Sequence, residues 1–548
     1  MSTAAMANPL HYEATDPAVL WSPGNVSEAI PGVSTALNWS FIDDAIETAA
    51  RRAFYDMGSL HRHELALGQR TEERFMVCFY GRTVANIDAM RVIGDRTPGT
   101  SANAIEEQLF GVVRPDAVNH PTNAYVATVA TRAPRTAVSV RAKQLRLRAE
   151  VVSWWRDAVL FPPADLDSAR ALLKQARERY THAFELATLA SMLGQALYDQ
   201  IVLLAENASL PGLQHRLVTG YDDMIETGLA TDLWTLSAGR IDLPSFLLRQ
   251  GFHGPDEGQM ASRVWREDAA PLLSLAARYA RLDPDNHPAK AVTRQRIIRR
   301  DAEAELFAKL GRLRAPGAKL LLGAARALIP QRELGKATYT QCLDAARIAA
   351  RVIGRALADQ GRLDDPDDVF GLTYEELTAA TLPRDCKQLA AERQAIRADY
   401  LTTDLPEKWT GTPPRVPIGG NGNGARTNGS TTVGATTDGS VISGEAVGGG
   451  AVTGRVRIVV DPATEELEPG EILVCRATDP GWTSLFQLAA GVAVDYGGTM
   501  SHAAIVAREL GIPCVTCTVN ATQRLHNGDL VRLDGDTGEI AILEEASA

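Results

Sequence analysis

His502, near the end of the chain, is the residue whose type and surroundings best suggest chemistry. It follows the glycine pair Gly497 and Gly498, and the residues after it place apolar side chains at helical spacing. The hydroxyl of Ser501 can cap that helix by accepting an amide hydrogen bond. His502 would then lie where backbone amides and the helix dipole favour an anion, which suits an imidazole that is transiently phosphorylated. The alternative is a helix-capping segment whose histidine only packs or faces water. We expect the segment to be a surface turn.

Short segments around this histidine support the first interpretation. They are similar to the swivelling phosphohistidine domain of the phosphoenolpyruvate-utilising enzymes, a family that includes phosphoenolpyruvate synthase, pyruvate phosphate dikinase, rifampin phosphotransferase and phenylphosphate synthase. The segments are residues 470–474, 478–483, 511–515 and 529–535. The resemblance implies that His502 is the phosphoryl carrier. It also makes Ser501, Thr499 and Arg508 candidates for contacting the phosphoryl group.

The earlier part of the chain shows a weaker resemblance, to the substrate domain of rifampin phosphotransferase and the large subunit of phenylphosphate synthase. The segments that show it are residues 25–35, 251–257 with 263–265, 332–336, and 367–373 with 375–377. Arg332 and Lys336 are four residues apart just after Pro330, so they should project from one face of a helix's first turns. Two cations there could hold a phosphoryl group, although a solvated basic pair is the alternative. The resemblance implies that both engage the phosphoryl group.

A second group of candidates lies around residue 257. Glu257 and Arg263 match positions that border the cleft in the family, which implies a substrate-binding or phosphate-binding role. The usual His-Arg pair of that motif is replaced here by Phe252 and His253. His253 could be a base for the acceptor, or it could simply fill space.

Composition narrows the class of protein. The chain has 548 residues, a formal net charge of −11 and no basic block that stands out, which argues against a nucleic-acid partner. No window approaches the roughly 18 apolar residues of a membrane span, and no signal peptide is evident. We therefore expect a cytoplasmic protein with no membrane partner.

Six scattered cysteines indicate reduced thiols rather than a disulfide framework. Cys514 and Cys517 have redox or zinc spacing, but they occupy a β-branched run typical of a buried strand. We assign no metal site to this chain.

The organisation predicted from the sequence is multidomain α+β. Residues 1–410 form a mainly helical domain that binds the acceptor, with long helices and a small sheet near residues 74–87. Residues 411–440 are rich in Gly, Asn and Thr and form a flexible linker with a span near ~30 Å. Residues 441–548 alternate short β-rich runs with two helical stretches, which fits a β/β/α swivelling domain.

The resemblance also implies a reaction. The family's nucleotide-binding domain of about three hundred residues has no counterpart here, so we expect a separate ATP-binding subunit, where ATP and Mg²⁺ bind. His502 would take a phosphoryl group there and deliver it to the hydroxyl of a small, phenolic substrate such as phenol or cresol. Two alternatives are a rifamycin-like acceptor and a non-catalytic phosphocarrier or regulatory subunit.

Overall fold

The computed structural model describes most of the chain. The described residues are 8–14, 16–24, 26, 30–98, 100–110, 113–114, 116–221, 224–406, 408–417, 441–460, 465–478, 480–498 and 501–546. The chain divides into two compact units. The first consists of Met1–Leu189, Gly258–Ser262 and Gly335–Thr431, and the second of Ala190–Glu257, Arg263–Leu334 and Thr432–Ala548.

Helices dominate the region before residue 402. In chain order they are α1 (Ala36–Met57), α2 (Ile87–Arg96), α3 (Ala102–Phe110), α4 (Val126–Leu160), α5 (Leu166–Asn207), α6 (Leu213–Leu217), α7 (Ile225–Ser237), α8 (Leu243–Gln250), α9 (Ala270–Tyr279), α10 (Pro288–Leu328), α11 (Gln331–Asp359), α12 (Tyr374–Thr378), α13 (Cys386–Tyr400), α14 (Thr483–Phe486), α15 (His502–Leu510) and α16 (Ala521–Arg524). In the described part of the chain, no helix combines the length and the apolar character needed to cross a membrane.

Strands concentrate after residue 440. In chain order they are β1 (Leu20–Ser22), β2 (Met76–Phe79), β3 (Arg82–Asn86), β4 (Thr403–Asp404), β5 (Trp409–Thr410), β6 (Val416–Pro417), β7 (Val441–Ser443), β8 (Glu445–Gly448), β9 (Ala451–Ile458), β10 (Ile472–Cys475), β11 (Gly491–Val494), β12 (Cys514–Thr516), β13 (Leu530–Asp534) and β14 (Glu539–Glu544).

The first unit is helical, with a small antiparallel sheet in the order β2-β3-β1-β5. Its interior includes a fully buried ion pair on α11, where Arg347 lies 2.6 Å from Asp344. Trp155 of α4 donates its indole hydrogen to the same carboxylate, at 2.8 Å, and Arg347 donates to the carbonyl oxygens of Gln259 and Met260. A buried ion pair is tolerated when further hydrogen bonds satisfy both groups, as they do here.

The second unit contains an eight-stranded mixed sheet in the order β7-β14-β13-β9-β10-β11-β12-β8. Strands β9 to β12 pair in parallel, and every residue of β10 and β11 is buried. Continuous apolar strands of this kind require cover on both faces. One face packs with α7, α8, α9, α14 and α15 in a single hydrophobic core, and the other forms a core with α16.

The predicted fold class is confirmed, with a mostly helical body and a β-rich C-terminal region. Residues 166–207 form one 42-residue helix. One of the two helical stretches expected after residue 441 is only Thr483–Phe486, and Ala490 then donates its amide to the carbonyl of Glu471 and leads into β11. Of the predicted linker, residues 411–417 include β6, and residues 418–440 lie outside the described residues. The domain boundaries stay predictions.

Candidate active site

His502 is the first residue of α15, as the sequence pattern predicts. Ser501 is the N-cap, and its hydroxyl accepts the amide of Ala504 at 3.5 Å. The helix ends at Gly511, whose φ of 70° belongs to the left-handed conformation that glycine adopts readily. All nine residues of α15 are buried, and His502 itself is 0% exposed. The expectation of a surface turn is therefore wrong, because the start of α15 is covered by the rest of the second unit.

Two polar side chains lie at the two ring nitrogens of His502. Thr483, the first residue of α14, places its Oγ1 3.2 Å from Nε2. Glu333, in the first turn of α11, places its Oε2 3.6 Å from Nδ1 and is 1% exposed. The ring of Phe486 meets the imidazole edge-on, with centroids 6.4 Å apart. A carboxylate beside Nδ1 favours a proton on that nitrogen, which leaves Nε2 as the nucleophile.

Arg332 and Lys336 both lie in the first two turns of α11, as expected. Arg332 Nε lies 3.5 Å from Glu333 Oε1, and its side chain is 22% exposed. It is therefore linked to His502 through the carboxylate between them. Lys336 is half-buried and belongs to the first compact unit, whereas Arg332 belongs to the second. Their joint action on one phosphoryl group stays a prediction.

His253 and Glu257 form a buried pair in the second unit. The imidazole Nδ1 lies 2.7 Å from Glu257 Oε2, and both residues are 2% exposed. The His253 ring packs against Phe252, with centroids 4.1 Å apart, and against Trp265 at 5.9 Å. Arg263 is exposed. The packing fits the space-filling interpretation of His253, and the oriented imidazole also fits a base, so both stay open.

The remaining candidates around His502 are separated by the structure. Ser501 caps α15, and Thr499 lies outside the described residues. Arg508 is buried at the opposite end of the helix, about 9 Å along its axis from His502. Its contact with a phosphoryl group on His502 stays a prediction.

Glu333, Thr483 and Phe486 are the residues that the sequence interpretation did not single out. Glu333 and Thr483 stand inside segments that resemble the family, beside Arg332 and after residues 478–482. Their position in these segments could have marked them as candidates. The sequence near each residue gives no indication that it lies beside His502.

The cysteines of the 514–517 segment make contacts typical of buried thiols. Burial raises the pKa of the Cys514 thiol to about 12, and Cys517 donates its thiol hydrogen to the carbonyl of Gly497. These contacts fit the strand interpretation of the pair. Across the described ranges, no group of three or more His, Cys, Asp or Glu residues is placed to hold a metal ion.

Comparison with known proteins matches two segments that meet at this site. Residues 467–538 match the family described as PEP-utilising enzyme, mobile domain, and residues 204–333 match the rifampicin phosphotransferase fourth domain. The first contains Thr483 and His502, and the second ends on Arg332 and Glu333.

Three relatives illustrate the similarity. An uncharacterised protein of Mycobacterium tuberculosis is 36% identical over 301 residues, which is 54% of this chain and 31% of that protein. The prodigiosin synthesizing transferase PigC of Serratia marcescens is 31% identical over 324 residues, 58% of this chain and 35% of PigC. A rifampicin phosphotransferase of Streptomyces sviceus is 33% identical over 251 residues, which is 44% of this chain and 27% of that protein. The chain thus spans about a third of the length of these relatives.

Fold and site together define the class of protein: a mobile domain whose histidine faces an acidic residue of a rifampicin phosphotransferase fourth domain. Residues 467–538 and 204–333 thus match models of the phosphoenolpyruvate-utilising enzymes and of rifampicin phosphotransferase, and the resemblance found in the sequence is confirmed over these segments.

Proposed function

We propose that this chain is part of an ATP-dependent phosphotransferase and relays a phosphoryl group through His502 to the hydroxyl of a small acceptor. The main support is the position of His502, whose two ring nitrogens face Thr483 and Glu333. A nucleophilic imidazole needs one nitrogen protonated and the other directed at the phosphorus atom.

The first half-reaction forms the carrier. Nε2 of neutral His502 attacks a phosphorus atom of ATP, the N–P bond forms, and the bond to the leaving nucleotide breaks. Attack at the γ-phosphorus releases ADP; attack at the β-phosphorus releases AMP and transfers a pyrophosphoryl group, from which water then removes the terminal phosphate. In this arrangement we expect ATP and Mg²⁺ to bind on a separate polypeptide. The Gly-, Asn- and Thr-rich sequence of residues 411–440 would let His502 reach it.

The second half-reaction delivers the group. The Nε2–P bond breaks while a bond forms between phosphorus and the acceptor oxygen, and the acceptor hydroxyl passes its proton to water. Nδ1 keeps its proton, held by Glu333, so that neutral imidazole leaves. Arg332 supplies positive charge for the equatorial oxygens of the transferring group, and we expect Lys336 to contribute. Thr483 donates to a phosphoryl oxygen in place of Nε2.

The acceptor is a phenol or an alkylphenol such as cresol in our primary proposal. A rifamycin-like acceptor is the second candidate, because residues 204–333 match a domain of rifampicin phosphotransferase. A non-catalytic phosphocarrier is the third possibility. It would need no acceptor chemistry from Arg332 or Glu333.

A chemical loading experiment tests the proposal without the ATP-binding polypeptide. The whole chain is phosphorylated with phosphoramidate, a small donor that modifies histidines, and the acid-labile label is located by mass spectrometry. Phenol, cresol or rifampicin is then added, and loss of label is compared with formation of the phosphate ester. We expect ester formation from labelled His502. Label that decays only to inorganic phosphate with all three acceptors would support the carrier alternative.

The source of the phosphoryl group needs a second measurement. We expect the purified chain to show no turnover with ATP, Mg²⁺ and phenol, because its nucleotide site lies on another polypeptide. Efficient turnover by the single chain would contradict the separate ATP-binding subunit and leave the His502 relay standing.

A further inference from the structure

The C-terminal end of α15 is fixed by contacts that are separate from the candidate active site. The Thr219 hydroxyl lies 3.0 Å from the carbonyl oxygen of Arg508 and 2.9 Å from the side-chain oxygen of Gln295, and these two acceptors share its one hydrogen. Gln295 covers the end of the helix so closely that a Cβ at Gly511 would lie 2.3 Å from its Nε2. The mobile domain is thus held at a second point by the fourth-domain region.

The segment that contains Thr219 packs closely against α10. Arg299 donates to the carbonyl oxygen of Thr219 at 3.0 Å and to that of Gly220, and its guanidinium lies 5.4 Å from the Tyr221 ring centroid. A Cβ at Gly220 would lie 2.5 Å from the backbone nitrogen of Arg296. Only glycine permits so close an approach, with its φ of 60°. The segment is therefore a preformed surface for α15.

One carboxyl group is buried in this contact. Glu509, next to Arg508, is 3% exposed. Burial raises the pKa of Glu509 to about 8, although hydrogen bonds from the backbone of Tyr221 and Gly220 and the charges of Arg508 and Arg299 oppose the rise. Docking therefore moves a carboxyl group from water into a site that prefers its neutral form.

Four further titratable groups face this region: His215, Tyr221, Glu303 and Arg326. Burial and the charge of Arg508 lower the pKa of His215, on α6, to about 4, so that its imidazole is neutral near pH 7. Glu303 and Arg326 act on the Tyr221 hydroxyl, whose pKa burial raises. Neither the tyrosine nor the histidine changes charge between pH 6 and 8, which leaves Glu509 as the titrating group.

We propose that residues 219–221 and Gln295 form a docking latch that holds α15 so that His502 faces Glu333, and that the latch must open before His502 can take a phosphoryl group from ATP on the separate polypeptide. This inference rests on the proposed function for its purpose. The rigidity of a nine-residue helix supports it, because a contact at one end of α15 fixes the position of the other. His502 is 0% exposed with the latch closed, so a nucleotide bound to another polypeptide does not reach it in that state.

The latch also makes docking sensitive to pH. Glu509 has a raised pKa when docked and an ordinary value of 4.5 when released into water. Docking thus takes up a proton. The stabilisation of the docked state by protonated Glu509 is complete below about pH 4.5 and is lost as pH rises through about 8. Between pH 6 and 8 the open fraction should grow by up to about tenfold per pH unit.

Exposure of His502 can be measured directly with diethyl pyrocarbonate, which acylates accessible neutral imidazoles. The reaction of His502 is followed by peptide mass spectrometry on the full chain and divided by that of His526, whose side chain is 78% exposed. Thr219→Val removes the shared hydroxyl donor and should raise this ratio about tenfold at pH 7. Thr227→Val is the matched control, because its hydroxyl binds only Met224 of its own helical turn.

Two further variants keep the test decisive. Gln295→Met, which retains length without hydrogen bonding, should raise the ratio as well if Thr219→Val does not fold. Glu509→Gln removes the titrating group, so its ratio should stay flat from pH 6 to 8 while that of the wild type rises. An unchanged ratio in both Thr219→Val and Gln295→Met would overturn the latch. Acylation reports exposure whether or not the protein transfers phosphate, so failure of the proposed function would leave these outcomes unaffected.

Discussion

The carboxylate of Glu333 is the most informative group to change, because its effect can be estimated from the structure. When Nε2 of His502 attacks phosphorus, the ring gains positive charge 3.6 Å from that carboxylate. Two unit charges at this distance attract by about 4–5 kcal/mol at an effective dielectric constant of roughly 20. With about half the charge developed in the transition state, Glu333→Gln should slow phosphorylation in this site by about 2 kcal/mol, or roughly 30- to 50-fold.

The assay follows the second half-reaction in reverse, with labelled phenyl phosphate as the donor to His502. Acid-labile label on the protein gives the rate, and the plateau gives the equilibrium level. The plateau should fall more than the rate, by about 10³-fold, because the full charge is present in the product. Glu305→Gln, a partly exposed glutamate paired with Arg216, is the control and should match the wild type. Wild-type rate and plateau in Glu333→Gln would refute the role assigned to the carboxylate.

Three other predictions follow from the site and its supporting core. His502→Ala should lose all acid-labile, base-stable label and product, since it removes the proposed carrier; label retained on the variant would place the carrier elsewhere. Arg332→Ala and Lys336→Ala should leave phosphorylation of His502 by the ATP-binding polypeptide intact but slow single-turnover transfer to the acceptor by roughly 10²- to 10³-fold. Equal transfer rates in wild type and both variants would remove these cations from the chemistry. Arg347→Leu should strand the buried carboxylate of Asp344 and lower the free energy of unfolding by about 3–5 kcal/mol in urea denaturation. A loss below about 1 kcal/mol would show that the pair is dispensable.

Much of the local structure around the site follows from the sequence alone. The cap at Ser501, the apolar spacing after it and the glycine at 511 predict α15, because helix boundaries depend on hydrogen bonds and periodicity within a few residues. The apolar runs at residues 471–475 and 491–495 likewise predict β10 and β11. The position of Arg332 at the start of a helix follows from Pro330 in the same way.

The tertiary structure decided which distant side chains meet. Glu333 and Thr483 lie at opposite ring nitrogens of His502, and Thr219 and Gln295 hold the far end of α15. No short pattern predicts these contacts, because they depend on how α15 packs between α10, α11 and the sheet. The burial of His502 has the same origin. A cap motif specifies a helix start but not what covers it, and only the packed second unit shows that this histidine is enclosed.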